Sequence, residues 1–295
     1  MACPICNSPS ARSLFVHQGF DIRRCSVCDH LWAAGGAPAD YANHASLFDY
    51  FKNDEAHRRA LMRKNLRQLK PWLAPGGRVL DFGCASGLFV LEARAQGYDA
   101  VGIDVASWVA EAAEHWNLPL HVGPIETAPY AAASFDAVVS IVSHEHLADP
   151  VGMTAHLARL LTPGGILAVV SVPHSRGIAW LLHREKWWDL EPPYHLQFFS
   201  RRSLRRLLED NGLQVVKTRT SGIGAGFFAI LLGRGRDEQT LLDQFQLQTN
   251  AGEVVGGAGG GVRWMASRVV VPFLNWCLDV TGLGNNLTMI ARKPS

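Results

Sequence analysis

From Pro75 onward, short apolar blocks alternate with stretches of helical period. Arg78-Val79-Leu80-Asp81-Phe82-Gly83 predicts a buried strand running into a glycine turn, and Leu88 to Gln96 predicts the helix after it. Ala100 to Asp104 predicts a second strand, followed by a helix from Ser107 to Trp116. Leu120 to Gly123 is a short third strand and Phe135 to Ser140 a fourth. The next helix ends at the breaker Leu161-Thr162-Pro163-Gly164-Gly165, and Ile166 to Val172 predicts a fifth strand. Strands and helices alternating at this interval specify a parallel α/β sheet covered on both faces. Ligands of such sheets collect at the carboxyl ends of the strands, so the chemistry is expected just after each one.

Before this unit, Leu47, Tyr50, Phe51, Leu61, Leu66 and Leu69 recur at near-helical spacing among His57, Arg58, Arg59, Arg63, Lys64 and Arg67, predicting one or two amphipathic helices. After it, Ser203 to Asn211 predicts a basic amphipathic helix closed by Gly212, Val215 to Thr218 a sixth strand, and Asn286 to Arg292 a terminal strand. Residues 221–284 hold an apolar stretch at Phe227 to Leu232, a glycine-rich segment from Gly252 to Gly261 and an apolar helix around Trp264 to Leu278. This insertion reads as a lid or partner surface. Arg263 and Arg268 interrupt its apolar face, a pattern compatible with membrane-surface contact. The expected division is 1–35, 36–75 as a helical linker or cap, 76–220 as the core, 221–284 as the insertion, and 285–295 as a last strand of the core.

Six cysteines fall into two kinds. Cys3, Cys6, Cys25 and Cys28 form two CxxC pairs, whereas Cys84 and Cys277 stand alone. Two CxxC turns can close a tetrahedron of thiolates around Zn2+. With four cysteines no coordination position stays open, so the metal is expected to be structural, in a small amino-terminal zinc ribbon. Redox exchange is the competing reading of such pairs.

Composition narrows the function. Apolar residues make up 48% of the 295-residue chain and charged residues 18%, the balance of a globular protein. The net charge of +2 is unevenly spread. Residues 76–175 carry 3 basic and 10 acidic side chains, while residues 1–75 carry 10 and 6. An acidic centre suits a cationic or hydroxyl-rich ligand better than a phosphate backbone. The amino terminus lacks the pattern of a signal peptide, and no apolar run of about 18 residues is present, so the expected location is cytoplasmic.

The sequence Asp81-Phe82-Gly83-Cys84-Ala85-Ser86-Gly87 is a strand end, a glycine turn and a helix start. A glycine turn alone could equally cradle a dinucleotide. However, the third glycine of GxGxxG is out of place, and the Asp81 carboxylate would repel a pyrophosphate while suiting an ammonium group. Asp104, ending the second strand, is placed to accept hydrogen bonds from both hydroxyls of a ribose. Together they describe a nucleoside with a charged amino-acid tail, the shape of S-adenosylmethionine.

Here the chain resembles the class I S-adenosylmethionine-dependent methyltransferases, from about Val79 to Val216. DFGCASG at Asp81 to Gly87 is similar to that family's DxGxGxG, with Ala85 in place of the middle glycine. GID at Gly102 to Asp104, the segment Gly123 to Glu126, SFDAVVS at Ser134 to Ser140 and LTPGG at Leu161 to Gly165 are similar to its later motifs. The resemblance implies a Rossmann-like, seven-stranded, mostly parallel sheet with helices on both faces. It also implies a cofactor site made by Asp81, Gly83, Cys84, Ala85, Gly87, Asp104, Val105, Ile125 and Glu126. HEHLADP at His144 to Pro150 and PPYHLQFFS at Pro192 to Ser200 are similar to motifs of zinc-ribbon methyltransferases acting on small molecules. Relatives that methylate ubiquinone precursors hold a metal with acidic residues near the first of these; here Val142 takes one such position and Glu145 alone remains.

Methyl transfer to a hydroxyl needs a group that takes its proton. His195 and His146, with Glu145 beside it, are the candidates; each histidine has a structural alternative, as a loop anchor or a helix residue bonded to backbone. Trp187, Trp188 and Tyr194 are candidates for the acceptor wall or for lid core, and Tyr41 and Tyr50 for closing over the cofactor. The sequence thus predicts methyl transfer to oxygen or carbon of a small or glycosylated metabolite. The rivals are an rRNA methyltransferase gripping RNA with the ribbon and basic helix, and a binding module without catalysis.

Overall fold

The computed structural model describes residues 1–43, 45–222 and 271–295, with only the backbone of Val271 and Pro272. The expectations at Phe227–Leu232, Gly252–Gly261, Trp264, Arg263 and Arg268 lie outside the described residues.

A small antiparallel sheet opens the chain, with β1 at Ala11–His17, β2 at Phe20–Cys25 and β3 at Leu31–Ala34. Helices α1 (Phe48–Lys52) and α2 (Glu55–Leu69) follow. The core begins at β4 (Arg78–Phe82) and continues through α3 (Leu88–Ala95), β5 (Asp99–Asp104), α4 (Val109–Trp116), β6 (Leu120–Val122) and β7 (Phe135–Ile141). Next come α5 (Pro150–Leu160), β8 (Leu161–Pro173), α6 (Ile178–His183), the two-residue β9 (Gln197–Phe198) and α7 (Arg201–Asp210). The strands β10 (Gln214–Ser221) and β11 (Asn286–Arg292) flank α8 (Val271–Thr281) in sequence.

The seven-stranded sheet runs β10-β11-β8-β7-β4-β5-β6. Its pairs are parallel except those of β11, which is antiparallel to both neighbours. Alternation along β8 explains why both faces are covered. Leu167, Val169 and Val172 pack with Leu204, Leu207 and Leu208 of α7 on one face. Ile166, Ala168 and Val170 pack with Leu66 and Leu69 of α2 and Phe89 of α3 on the other. The three leucines of α7 recur at i, i+3 and i+4, a single helical stripe. Ser200 starts that helix by accepting from the Ser203 N–H while the Ser203 hydroxyl accepts from the Ser200 N–H.

The fold matches the predicted α/β architecture, with one correction at the breaker. Helix α5 stops at Leu160 and β8 starts at Leu161, five residues ahead of the predicted strand. Leu161 pairs with Phe135, and the register shifts before Ile166 pairs with Ala137, so the Pro-Gly-Gly stretch is absorbed as an irregularity within the strand.

The amino-terminal sheet does not stand apart. Its order is β1-β2-β3-β9, so residues 197–198, late in the chain, supply its last strand. Asp29 holds the junction by accepting from Arg24 and, through both oxygens, from Arg176, and Arg24 also donates to the Ser175 carbonyl at 3.0 Å.

Candidate active site

Strands β4 and β5 end side by side, Phe82 opposite Ile103, which brings the turn after β4 next to Asp104. Gly83 has φ +75°, and a Cβ there would strike the Ser143 hydroxyl, so the turn admits only glycine. Ala85 also has positive φ, 44°, in a turn whose N–H groups are committed. The Gly83 and Cys84 N–H groups donate to the Ile103 carbonyl at 2.9 and 3.1 Å. The Ala85 N–H donates to one oxygen of Asp104 at 2.9 Å, and the Ala106 N–H to the other at 3.0 Å. Each oxygen of that carboxylate keeps a further lone pair for a diol.

Asp81 lies within β4, 3% exposed, and its carboxyl makes no hydrogen bond among the described residues. Burial first, and the negative charge of Asp104 second, push its carboxyl up to about 8. What this group lacks is a cation.

Beyond the strand ends lies a cavity of about 590 Å³. One end is walled by Gly83, Ala85, Asp104, Val105, Ile125 and Glu126, the other by Tyr41, Val142, His146, Glu191, Tyr194 and His195. The structure thus brings six of the nine predicted cofactor residues and both histidines to one space. Asp81 sits beneath the floor, and Cys84 and Gly87 do not reach the wall. Cys84 packs with Ala106 and Val109, and leucines 118 and 120 cover Gly87.

His146 ends a short 3-10 turn, His144–His146, after β7, and its Nδ1 lies 2.9 Å from the Tyr194 carbonyl and 2.7 Å from the Tyr41 hydroxyl. His195 has its Nδ1 2.7 Å from the Asp189 carbonyl. Carbonyls only accept, so His195 carries its proton on Nδ1 and leaves Nε2 with a lone pair, while His146 is held by the Tyr194 carbonyl, the Tyr41 hydroxyl and the Val142 backbone. Burial lowers both imidazoles, His195 to about 4, so they are neutral near pH 7. Glu145 is fully buried behind them with neither carboxylate oxygen hydrogen-bonded, and burial raises it to about 8.

Two expectations about aromatics are corrected. Trp187 is buried with Trp180 and Phe198 against the amino-terminal sheet, with Trp188 packed on that cluster, so of that trio only Tyr194 faces the cavity. Tyr41 lines the cavity whereas Tyr50 stacks under the Arg58 guanidinium outside it. Sequence reasoning missed Phe51 and Trp108, which stack 5.7 Å apart on the cavity wall. Near-helical spacing places Phe51 in the apolar stripe of a predicted helix, and no local sequence signal separates it from that stripe; the helix is only five residues long, with Phe48 its buried residue.

The four sulfurs of Cys3, Cys6, Cys25 and Cys28 lie within 4.8 Å of one another, with Cys3–Cys28 at 3.5 Å and Cys6–Cys25 at 3.6 Å. A tetrahedral zinc site with bonds of about 2.3 Å needs sulfurs roughly 3.8 Å apart. The arrangement is compatible with that ion.

Residues 55–218 match the family described as a methyltransferase domain, more than half of the chain. The chain belongs to this methyltransferase family. Over 111 residues the methyltransferase domain is 32% identical to a demethylmenaquinone methyltransferase of Mycobacterium sp. (strain KMS), an overlap of 37% of this chain and 48% of that protein. Over 141 residues it is 32% identical to a ubiquinone biosynthesis O-methyltransferase of Paracidovorax citrulli (strain AAC00-1), covering 43% and 59%. The match thus spans about half the length of these curated relatives. The solved structure of an S-adenosylmethionine-dependent methyltransferase from Thermotoga maritima superposes with a TM-score of 0.52 at 19% identity, covering 83% of this chain and 94% of that one, which establishes likeness of fold. Among the described residues no helix is long and apolar enough to cross a membrane.

Proposed function

We propose that this methyltransferase domain moves a methyl group from S-adenosylmethionine to an oxygen, or an activated carbon, of a small or glycosylated metabolite. One observation carries the reading: a carboxylate with spare lone pairs and two neutral imidazoles line a single cavity, with an unpartnered buried carboxyl on the strand that leads into it. The donor set fits the cofactor. Asp81 would take the ammonium, Asp104 the ribose hydroxyls, and Val105, Ile125 and Glu126 would flank the adenine. When bound, the cofactor supplies an electrophilic methyl group on a sulfonium sulfur.

The remaining work falls to this chain's own side chains. His195, its Nδ1–H donated to the Asp189 carbonyl, keeps Nε2 to accept the proton of an acceptor hydroxyl. His146, anchored by Tyr194 and Tyr41, orients the same hydroxyl. The name of the Paracidovorax relative supports oxygen as the methylated atom. Cys3, Cys6, Cys25 and Cys28 would hold a structural Zn2+ at the base of the ribbon.

The test is transfer of label from methyl-labelled S-adenosylmethionine into a fractionated cell extract. Label is expected in the small-molecule fraction, with His195→Ala lowering turnover while sparing cofactor affinity. Label confined to RNA would replace the reading with an RNA methyltransferase, and no transfer to any fraction would leave a binding module.

A further inference from the structure

At the acceptor end of the cavity, three side chains bring potential metal ligands together. Neither oxygen of the fully buried Glu145 meets a donor from another residue. The Tyr194 and Asp189 carbonyls anchor Nδ1 of His146 and His195, the Val142 backbone is a further partner of the His146 ring, the His195 Nε2 lone pair is left free, and the two rings stand 5.0 Å apart. One ligand atom from each of Glu145, His146 and His195 lies within 4.8 Å of the others. A buried carboxyl beside two imidazoles, with no other residue to pair it, is stabilised by a cation placed between them.

We infer that Glu145, His146 and His195 form a second metal site, distinct from the four cysteines, for a divalent first-row transition-metal ion. The donors decide the class of ion. Two imidazoles and one carboxylate suit zinc, iron(II) or manganese(II), whereas thiolates define the amino-terminal site. A backbone carbonyl behind each imidazole is the usual support of a metal-bound histidine, since it fixes the tautomer and aims the ring. Three protein ligands leave a coordination position open, and His146 and His195 face the cavity, so that position opens toward the acceptor. A ligated His195 Nε2 could not also take a proton, so in the metal-loaded site the ion, in place of the imidazole, would acidify a bound acceptor hydroxyl, whose proton would leave to water. Sequence similarity had pointed to an acidic set, of which Val142 breaks one member; the structure supplies instead His195, from a loop about fifty residues later.

The inference rests on the proposed reading for the identity of the cavity, but metal binding can be measured without cofactor or acceptor. The full-length protein is saturated with Zn2+, freed of excess by gel filtration and assayed for zinc per chain before and after a thiol-specific mercurial. Two zinc ions per chain are expected, of which the mercurial releases one. Glu145→Gln and, independently, His195→Asn should each retain a single, mercurial-releasable ion, with far-ultraviolet circular dichroism reporting that the variants are folded. One ion per chain, fully released by the mercurial, overturns the second site; so does a second ion that survives both substitutions. Binding of S-adenosylhomocysteine is measured on the same samples. Its loss with two zinc ions present would sink the methyl-transfer reading and leave the metal site standing.

Discussion

His30 donates its Nε2–H to Gln197 Oε1 at 2.8 Å, tying the amino-terminal sheet to the wall of the active site. The direction follows from the other end of the amide, where Gln197 Nε2 donates to the Leu147 carbonyl at 2.8 Å, leaving Oε1 to accept. One residue on each side lies the chemistry, since Leu147 follows His146 and the Leu196 N–H donates to the Glu145 carbonyl. The amino-terminal sheet therefore braces the turn that holds Glu145 and His146.

Gln197→Leu strands the His30 N–H and the Leu147 carbonyl in a buried setting. A loss of about 2 kcal/mol is expected in denaturant unfolding, together with a fall in kcat and little change in cofactor affinity. Adding His30→Phe removes one stranded donor and should recover part of the stability. A double variant no more stable than Gln197→Leu would refute the bond.

Ala85 occupies a left-handed conformation where its Cβ crowds the following backbone. Relief of that crowding, on the order of 1–2 kcal/mol, exceeds the added chain entropy of a glycine, about 0.5–1 kcal/mol. Ala85→Gly should therefore raise stability by up to about 1 kcal/mol, and Ala85→Val should lower it, as read by urea midpoints. Equal midpoints for all three would mean that the turn relaxes freely.

Asp29 links the ribbon to the core through the mostly buried Arg24. Asp29→Ala leaves that guanidinium without its counter-charge and should cost about 3 kcal/mol, the usual penalty for breaking rather than replacing a buried pair. Scanning calorimetry checks it, and an unchanged melting temperature would show the junction to be carried by the β3–β9 pairing alone.

The sheet was legible because each strand is a compact apolar block closed by glycine, and β11 was found to the residue at Asn286–Arg292. That Gly83, Asp104 and Ile125 meet at one end of the cavity was legible for the same reason, since each stands at or just after the end of a strand. The acceptor end was only half visible. His146 and His195 were found as residue types, but nothing local reveals that carbonyls 48 and 6 residues away orient their rings. Pairing of β3 with a two-residue strand at 197–198 was invisible, since so short a strand has no period, and it drew Trp187 into the ribbon's core and away from the cavity.

The four-cysteine site predicts a chemical signature independent of catalysis. Titrating the thiols with a mercurial should release zinc in proportion to the loss of these thiolates, and Cys28→Ser should reduce that release and lower the melting temperature, because metal binding here contributes to folding. Retention of full thiol-released zinc in Cys28→Ser would remove the ribbon assignment.

Asp81 supplies the sharpest pH dependence. Its carboxyl, raised from an ordinary value of 3.8 to about 8, binds a proton more tightly in the folded protein than in the unfolded chain. That proton stabilises the fold at low pH, and the contribution is lost as pH rises from about 4 through about 8. A ligand ammonium replaces the proton, so cofactor binding near neutral pH should release close to one proton. Affinity for S-adenosylhomocysteine should rise by up to about tenfold per pH unit below the raised value and level off above it. Calorimetry in buffers of different ionisation enthalpy measures the proton count directly. In Asp81→Asn both the release and the slope should vanish along with part of the affinity; a slope that persists there belongs to another group, and Asp81 would then not face the ammonium.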